Sequence, residues 1–368
     1  MNITVALGAF LPVPPIMGGG VEKVWFALGQ EFARRGHAVT MISRRHPQLP
    51  NEETQHGVRH VRLRGFDSPR SMWRRQCEDL LYSLRVVRAL PRADILVTNT
   101  FWLPVLIRSE RYGKLYVHVA RFPKKQMGLY RHAARLQAVS QAVADAICAQ
   151  TPAVAHTVRA VPNHLPVEQF HATPPANSRP PLILYVGRVH PEKGLELLLR
   201  ACARLRAPHR LRIVGPWQTE LGGGGEAYRE TLRAIASPKP VEFTGPVFGA
   251  EQLNAHYDAA TIFVYPSLAD TGETFGLAPL EAMARQRVAV VSALACFGEF
   301  LRHGENGFVF DHRATHREEL LANQLDTLLA APEQLPAIAG RALVSARQFA
   351  LPQVADRYLA DFQSLLAS

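Results

Sequence analysis

The chain has 368 residues, 47% apolar and 20% charged, a composition that fits a soluble globular protein large enough for two domains with separate cores. No uninterrupted apolar run approaches the ~18 residues of a membrane span, and Cys77, Cys148, Cys202 and Cys296 form no C-x-x-C pair, which argues against a zinc site or disulfide framework and fits a reducing cytosol. The net charge of +11 is lopsided: residues 1–180 hold 24 Lys and Arg against 11 Asp and Glu, residues 181–368 hold 18 against 20, and residues 59–135 alone hold 17 against 5.

The opening MNITVALGAFLP lacks a basic n-region and reads as a buried first strand. Short β-rich apolar runs then predict strands at 2–8, 37–43, 58–64, 94–98, 115–119, 135–139 and 157–161, with helical patterns between most of them. The clearest helix is 21–37, where Val21, Val24, Trp25, Leu28 and Phe32 recur at helical spacing and Gly36 stops the run. Segment 163–181 carries five prolines and no apolar period, so it reads as a linker. Alternation restarts with strands at 182–188, 211–215, 241–245, 261–267 and 288–293, and everything from about 314 onward reads as helix. Strands alternating with helices on both sides of a linker predict two doubly wound α/β domains with parallel sheets. Ligands of such sheets sit at the carboxyl ends of the strands, so chemistry is sought in the loops that follow them.

Three loops stand out. PPIMGGGVEK (14–23) follows the first strand, and its glycines allow either a tight turn or close approach of a ligand to a helix start. It is neither G-x-G-x-x-G nor a P-loop. VGRVHPEKG (186–194) puts Arg188 and Lys193 beside the next helix start, where they are either solvated surface charges or a grip for a diphosphate. SLADTGETFGLAPLEAMA (267–284) places Glu273 before a small turn and Glu281 on the helix after it. A carboxylate suits a vicinal diol such as a ribose, and the N–H groups of Phe275, Gly276 and Leu277 suit a phosphate; taken singly, either glutamate reads as an ordinary carboxylate, Glu281 as one favoured by the helix dipole.

Taken together, G-G-x-E near the N-terminus, V-G-R-x-x-x-E-K-G opening the second half, and E-T-F-G-L-x-P-L-E-A-M-A resemble the family-4 type of retaining glycosyltransferases with the GT-B fold. Further matches, at 139–147, 161–170, 241–247, 257–267 and 299–310, extend the resemblance over nearly the whole chain in the right order. It implies two Rossmann-like domains facing across a cleft. Residues 1–162 would bind the acceptor, 163–181 would link, 182–350 would bind a nucleotide sugar, and a C-terminal helix at 351–368 could cross back to the first domain. It also implies that Arg188 and Lys193 hold the donor diphosphate, Glu281 the ribose and Glu273 the transferred sugar. Phe275, Gly276 and Leu277 would donate backbone N–H groups, Val247 would contact the base through its backbone, and Gly19 and Gly20 would lie against the phosphate. His118, at the end of the strand KLYVH, matches a histidine placed beside the reacting sugar. Two departures are visible. Arg285, Gln286, Arg287 and Val288 replace the usual small residue, Gly and Pro, which implies a packing change, and Cys296-Phe297-Gly298 replaces paired glycines, which bears on the sugar or acceptor pocket.

No D-x-D occurs, so no metal or other cofactor is expected, and Arg188, Lys193 and helix N-termini would stabilise the leaving diphosphate of a UDP- or GDP-sugar. The expected activity is retaining, metal-independent transfer of a hexose to a glycan, glycolipid or lipid-linked acceptor in synthesis of cell-surface polysaccharide, lipopolysaccharide or other glycoconjugates. The basic half then faces the acceptor. In 68–76 and 120–132, Trp73, Phe122, Met127 and Tyr130 are interleaved with Arg and Lys, a composition suited to an anionic membrane surface; a solvated basic face is the alternative. The expected location is cytoplasmic, peripheral on the inner face of the cell membrane. Competing readings are a nucleic-acid binder, which leaves the glutamates and the Arg188–Lys193 loop without a role, a catalytically silent glycan-binding or coat-type relative, and a GT-B-fold nucleotide-sugar epimerase.

Overall fold

Two sheets organise the computed structural model, which describes residues 1–172, 180–236 and 241–367. The first sheet contains β1 (Asn2–Ala6), β2 (Ala38–Arg44), β3 (Glu52–Gln55), β4 (Val58–Leu63), β5 (Ile95–Thr98), β6 (Lys114–Val119), β7 (Arg135–Ala138) and β8 (Val158–Ala160). Their spatial order is β3-β4-β2-β1-β5-β6-β7-β8, and only the β3–β4 pair is antiparallel. The second sheet contains β9 (Leu182–Val186), β10 (Arg210–Val214), β11 (Val241–Gly245), β12 (Ile262–Tyr265), β13 (Val288–Ser292) and β14 (Phe308–Phe310), all parallel, in the order β11-β10-β9-β12-β13-β14. Strand order reverses between β1 and β5 in one sheet and between β9 and β12 in the other. Those are the switch points where a doubly wound sheet opens a crevice for ligand.

Contacts divide the chain into Met1–His164 with Leu351–Ser368, and Leu165–Ala350. In the first unit, helix Gly20–Arg34 buries Val24, Trp25, Leu28 and Phe32. The helix ends one turn before the expected 37, because Gly36 turns the chain out at φ 84°. Against it packs helix Leu351–Ala367, which buries Val354, Tyr358, Leu359 and Phe362 in the same core as Trp25 and Tyr116. Asp361 on that helix is fully buried and accepts from Tyr116 Oη at 3.0 Å, from Arg135 at 2.8 and 3.1 Å, and from Arg159 at 3.2 Å. In the second unit, helices Leu195–Arg204, Leu277–Ala284, Arg317–Ala330 and Leu335–Arg347 flank the sheet with their apolar faces buried.

Sequence periodicity did not reveal β3 or β14. β3 is Glu-Glu-Thr-Gln on a sheet edge, with no apolar run to mark it, and it turns into β4 through His56-Gly57 at φ 49° and 77°. β14 is three residues that pair with β13 at the end of the 299–310 motif. Of the linker expected at 163–181, residues 173–179 lie outside the described residues. Before them Leu165 N–H donates to Phe349 O at 2.8 Å and Val167–Gln169 forms a short turn.

Candidate active site

The second-sheet crevice is built by the loops after β9 and β12. Two features tie them together: Leu268 N–H donates to Glu192 O at 2.8 Å, and Gly194, at φ 69°, lies flat against the Pro266 carbonyl where any Cβ would collide. That seating brings Lys193, only 5% exposed, onto Glu273, with Nζ 2.7 Å from Oε2. Tyr265 Oη at 3.1 Å and Ser267 Oγ at 3.2 Å donate to the same oxygen. Oε2 is therefore held by three donors, and Oε1 makes no hydrogen bond among the described residues. Burial and the adjacent Glu273 charge push the Tyr265 hydroxyl far above the usual phenol range, so it stays a donor.

Arg188 projects from the same loop. It donates to Glu192 Oε1 at 2.6 Å and to Gly222 O at 2.8 Å, while Glu192 lies 3.8 Å from Lys193 Nζ. Arg188, Glu192, Lys193 and Glu273 thus form one alternating chain of charges at the switch point. Their cations are held in place by carboxylate and carbonyl partners, the preorganisation that electrostatic stabilisation of an anion requires.

Gly276 caps the helix Leu277–Ala284 at φ 90°, with the Phe297 ring occupying the space of a missing Cβ. The N–H groups of Phe275, Gly276 and Leu277 donate to no described residue, leaving them open to an anion. Phe297 is 1% exposed and meets Tyr265 edge-on at 6.0 Å, so its effect is to wall Gly276 and Tyr265 from behind. Glu281, on the same helix, accepts from Tyr257 Oη at 2.8 Å. Tyr257 and Tyr265 belong to a buried column of rings, Tyr185–Tyr265–Phe263–Tyr257, with successive centroids 5.6, 6.3 and 5.7 Å apart. Each glutamate is therefore held by a tyrosine of one rigid aromatic stack. The Arg departures support the same helix ends: Arg285 pairs with Asp258, and the buried Arg287 donates to Tyr257 O at 2.6 Å and Asp258 O at 2.9 Å. Val247 follows β11 half-buried, and its backbone bonds no described residue.

The first unit holds the remaining candidates. Gly18 and Gly19 take φ 80° and 100° and Gly20 begins the helix, so the run forms the loop between β1 and the helix start, at the switch point. The buried Glu22 fills the space beside Gly19, and burial raises its pKa. His118 is 4% exposed near the carboxyl end of β6; burial lowers its pKa to about 4, so the ring is neutral at pH 7. Among the described residues no three His, Cys, Asp or Glu side chains gather as a metal site.

The basic surface differs from its sequence reading. Met127 and Tyr130 are buried at 2% and 3%, because they pack under the loop 120–132 with the Tyr130 hydroxyl on Phe101 O at 3.0 Å, and Phe122 leans on the core. Trp73 is 79% exposed. It begins a stripe on helix Met72–Ala89 that continues through Cys77, Leu81 (50%) and Leu84 (38%) at helical spacing. The opposite face is buried, and there Asp79 accepts from Phe101 N and Trp102 N at 3.1 and 3.0 Å. No described helix is long and apolar enough to cross a membrane.

Sequence reasoning found both glutamates and both cations but missed Tyr265, Ser267, Tyr257 and Glu192. A tyrosine inside a fully buried parallel strand was the available signal, since its hydroxyl must find a partner there.

Comparison with known proteins places these features in a family. The model for Glycosyltransferase Family 4 matches residues 18–169 and that for group 1 glycosyl transferases matches residues 180–331. A D-inositol 3-phosphate glycosyltransferase of Rhodococcus erythropolis is 30% identical over 188 residues, which is 50% of this chain and 41% of that relative, so the match spans under half of the relative's length. Sucrose-phosphate synthase from Thermosynechococcus elongatus superposes with a TM-score of 0.78 at 19% identity, covering 100% of this chain and 99% of that one. The Anabaena protein HepE, solved with UDP and glucose, superposes with a TM-score of 0.74 at 18% identity over 99% and 100% of the two chains. The two switch-point sheets and the paired domain matches make this chain a member of the family-4-type glycosyltransferases, with their two-domain, Rossmann-like GT-B fold.

Proposed function

We propose that the protein is a retaining, metal-independent glycosyltransferase that moves a hexose from a UDP- or GDP-sugar to an acidic or lipid-linked glycan acceptor in glycoconjugate synthesis. The observation that carries this reading is the Lys193–Glu273 pair at 2.7 Å beside three uncommitted N–H groups. Arg188 and Lys193 take the diphosphate, Phe275–Leu277 add backbone donors, and Glu273 offers Oε1 to sugar hydroxyls while its other oxygen is held. Glu281, steadied by Tyr257, takes the ribose and Val247 meets the base through its backbone; by the family resemblance, Gly19 and Gly20 are assigned to the phosphate and His118 to the transferred sugar. HepE, of the same fold, is bound to UDP and glucose, which supports a nucleotide-sugar donor.

In the step itself the bond from the anomeric carbon to the diphosphate oxygen breaks and the acceptor oxygen bonds that carbon on the same face. The acceptor proton passes to the departing phosphate oxygen. The cations and N–H groups stabilise the charge developing on that oxygen, so the residues contribute by positioning and electrostatics. A panel of nucleotide sugars tests the reading by acceptor-dependent release of nucleoside diphosphate, in the presence and absence of EDTA. Glu273→Gln, which keeps an acceptor oxygen for the donors around the carboxylate, is expected to stay folded and to lose ~100-fold or more in kcat. Full activity in that variant, or inverted product by NMR, rejects the assignment; epimerised nucleotide sugar without transfer supports the epimerase instead.

The acceptor side rests on the basic first half. Its Trp73–Leu84 stripe, edged by Arg70, Arg74 and Arg88, suits an anionic bilayer surface on the cytoplasmic side. Co-flotation with acidic vesicles should exceed that with neutral ones, fall with salt, and drop ~10-fold in Trp73→Ala; equal and salt-insensitive binding contradicts it.

A further inference from the structure

Gln137 is an uncharged polar side chain buried at 0% exposure inside β7, between Leu136 and Ala138. A buried amide is costly unless its donors and acceptor are used. Its Nε2 donates to Ala138 O at 2.8 Å and to Val161 O at 2.7 Å. Carbonyl oxygens only accept, so the amide cannot be turned over and Oε1 must face the neighbouring strand. Gln137 is paired in register with His118 on β6, and Oε1 lies within hydrogen-bond distance of His118 Nδ1. An amide oxygen cannot donate, so Nδ1 carries the hydrogen. The neutral ring then has its lone pair on Nε2, which bonds no described residue. Trp25 packs edge-on against the imidazole, centroids 5.5 Å apart at 89°, and blocks its rotation. Trp25, from the helix, packs on the ring and Gln137, from the adjacent strand, bonds it; neither is ionisable, and burial lowers the ring's pKa against the Gln137 bond, with no charged side chain among the causes.

We propose that Gln137 is a positioning residue that locks His118 as the Nδ1–H tautomer, so that Nε2 meets the transferred sugar as a hydrogen-bond acceptor and reads a hydroxyl on it. This rests on the role toward the transferred sugar proposed for His118 above. Its consequence is a selectivity rule: the sugar must present an O–H donor to Nε2, and a donor deoxygenated or O-methylated at that carbon is a poor substrate.

Histidine-selective ¹⁵N labelling of the full chain, read by two-bond ¹H–¹⁵N correlation, tests the tautomer directly; His118→Gln removes and so assigns the resonance. The expected signal is a neutral Nδ1–H ring that persists down to about pH 5. An Nε2–H tautomer, or a doubly protonated ring at pH 7, overturns the proposal without any activity measurement. In turnover, Gln137→Leu is expected to lower kcat ~10-fold with donor KM within about twofold, and to mix the two tautomers. Unchanged kcat in folded Gln137→Leu overturns the positioning role. A native Nδ1–H ring with full activity in His118→Gln shows instead that His118 does not meet the sugar, and the hydroxyl-reading role falls.

Discussion

A carboxylate that must greet a sugar or a ribose has to keep one oxygen still and the other available. In the proposed site Glu273 has three donors on Oε2, and Glu281 accepts from Tyr257. The tyrosines suit the task because burial keeps their hydroxyls protonated far beyond neutral pH and ring stacking fixes where they point. Tyr257→Phe should therefore raise donor KM ~10-fold, the worth of a hydrogen bond to a charged group, while kcat changes little; donor saturation curves check it. The glutamates were readable because acidic residues flanking a Thr-Phe-Gly turn form a spaced pattern. Tyr257 was not, since it lies 24 positions from its partner on another helix.

Among the elements, the short loops after β9 and β12 and the helix Leu351–Ala367 have the most to explain. The loops need no regular structure of their own, because Gly194 against Pro266 and the Leu268–Glu192 hydrogen bond set their registers. The helix is joined to the first unit by an apolar face and by one buried charge cluster around Asp361. Removing that carboxylate leaves Arg135 without its carboxylate partner and the Tyr116 hydroxyl without its acceptor. Asp361→Ala should cost ~3–5 kcal/mol in chemical denaturation and accelerate amide exchange along 351–367 first. The apolar spacing of the helix was plain in the sequence. Nothing in the sequence marks Asp361 as buried, because its cluster draws on residues more than 200 positions away.

Across the whole molecule, charge divides by unit, and burial sets the protonation of histidines in both. The first unit carries the positive excess and two buried neutral histidines, His60 and His118, each with a pKa lowered to about 4 chiefly by burial. Among the described residues both nitrogens of His60 lack hydrogen-bond partners, so no hydrogen bond there favours a proton. In the unfolded chain both rings titrate near the ordinary value of 6.5, so between pH 6.5 and 4 the unfolded state binds more protons. Stability conferred by these sites is complete above pH 6.5 and is lost as pH falls toward 4, by ~3 kcal/mol for each histidine. Thermal melts from pH 7.5 to 4.5 should show that decline, and His60→Phe should flatten it. The amino-acid order alone determined the alternation of strands and helices, the positions of the loops that follow the strands and the family, because these depend on periodicity and local spacing. Only the tertiary structure decided which hydroxyls hold the glutamates, which nitrogen His118 presents, that Met127 and Tyr130 are buried while Trp73 stands out, and where Asp361 is neutralised. Each of those depends on side chains from distant segments meeting in a low-dielectric interior, where an unpartnered polar group is costly.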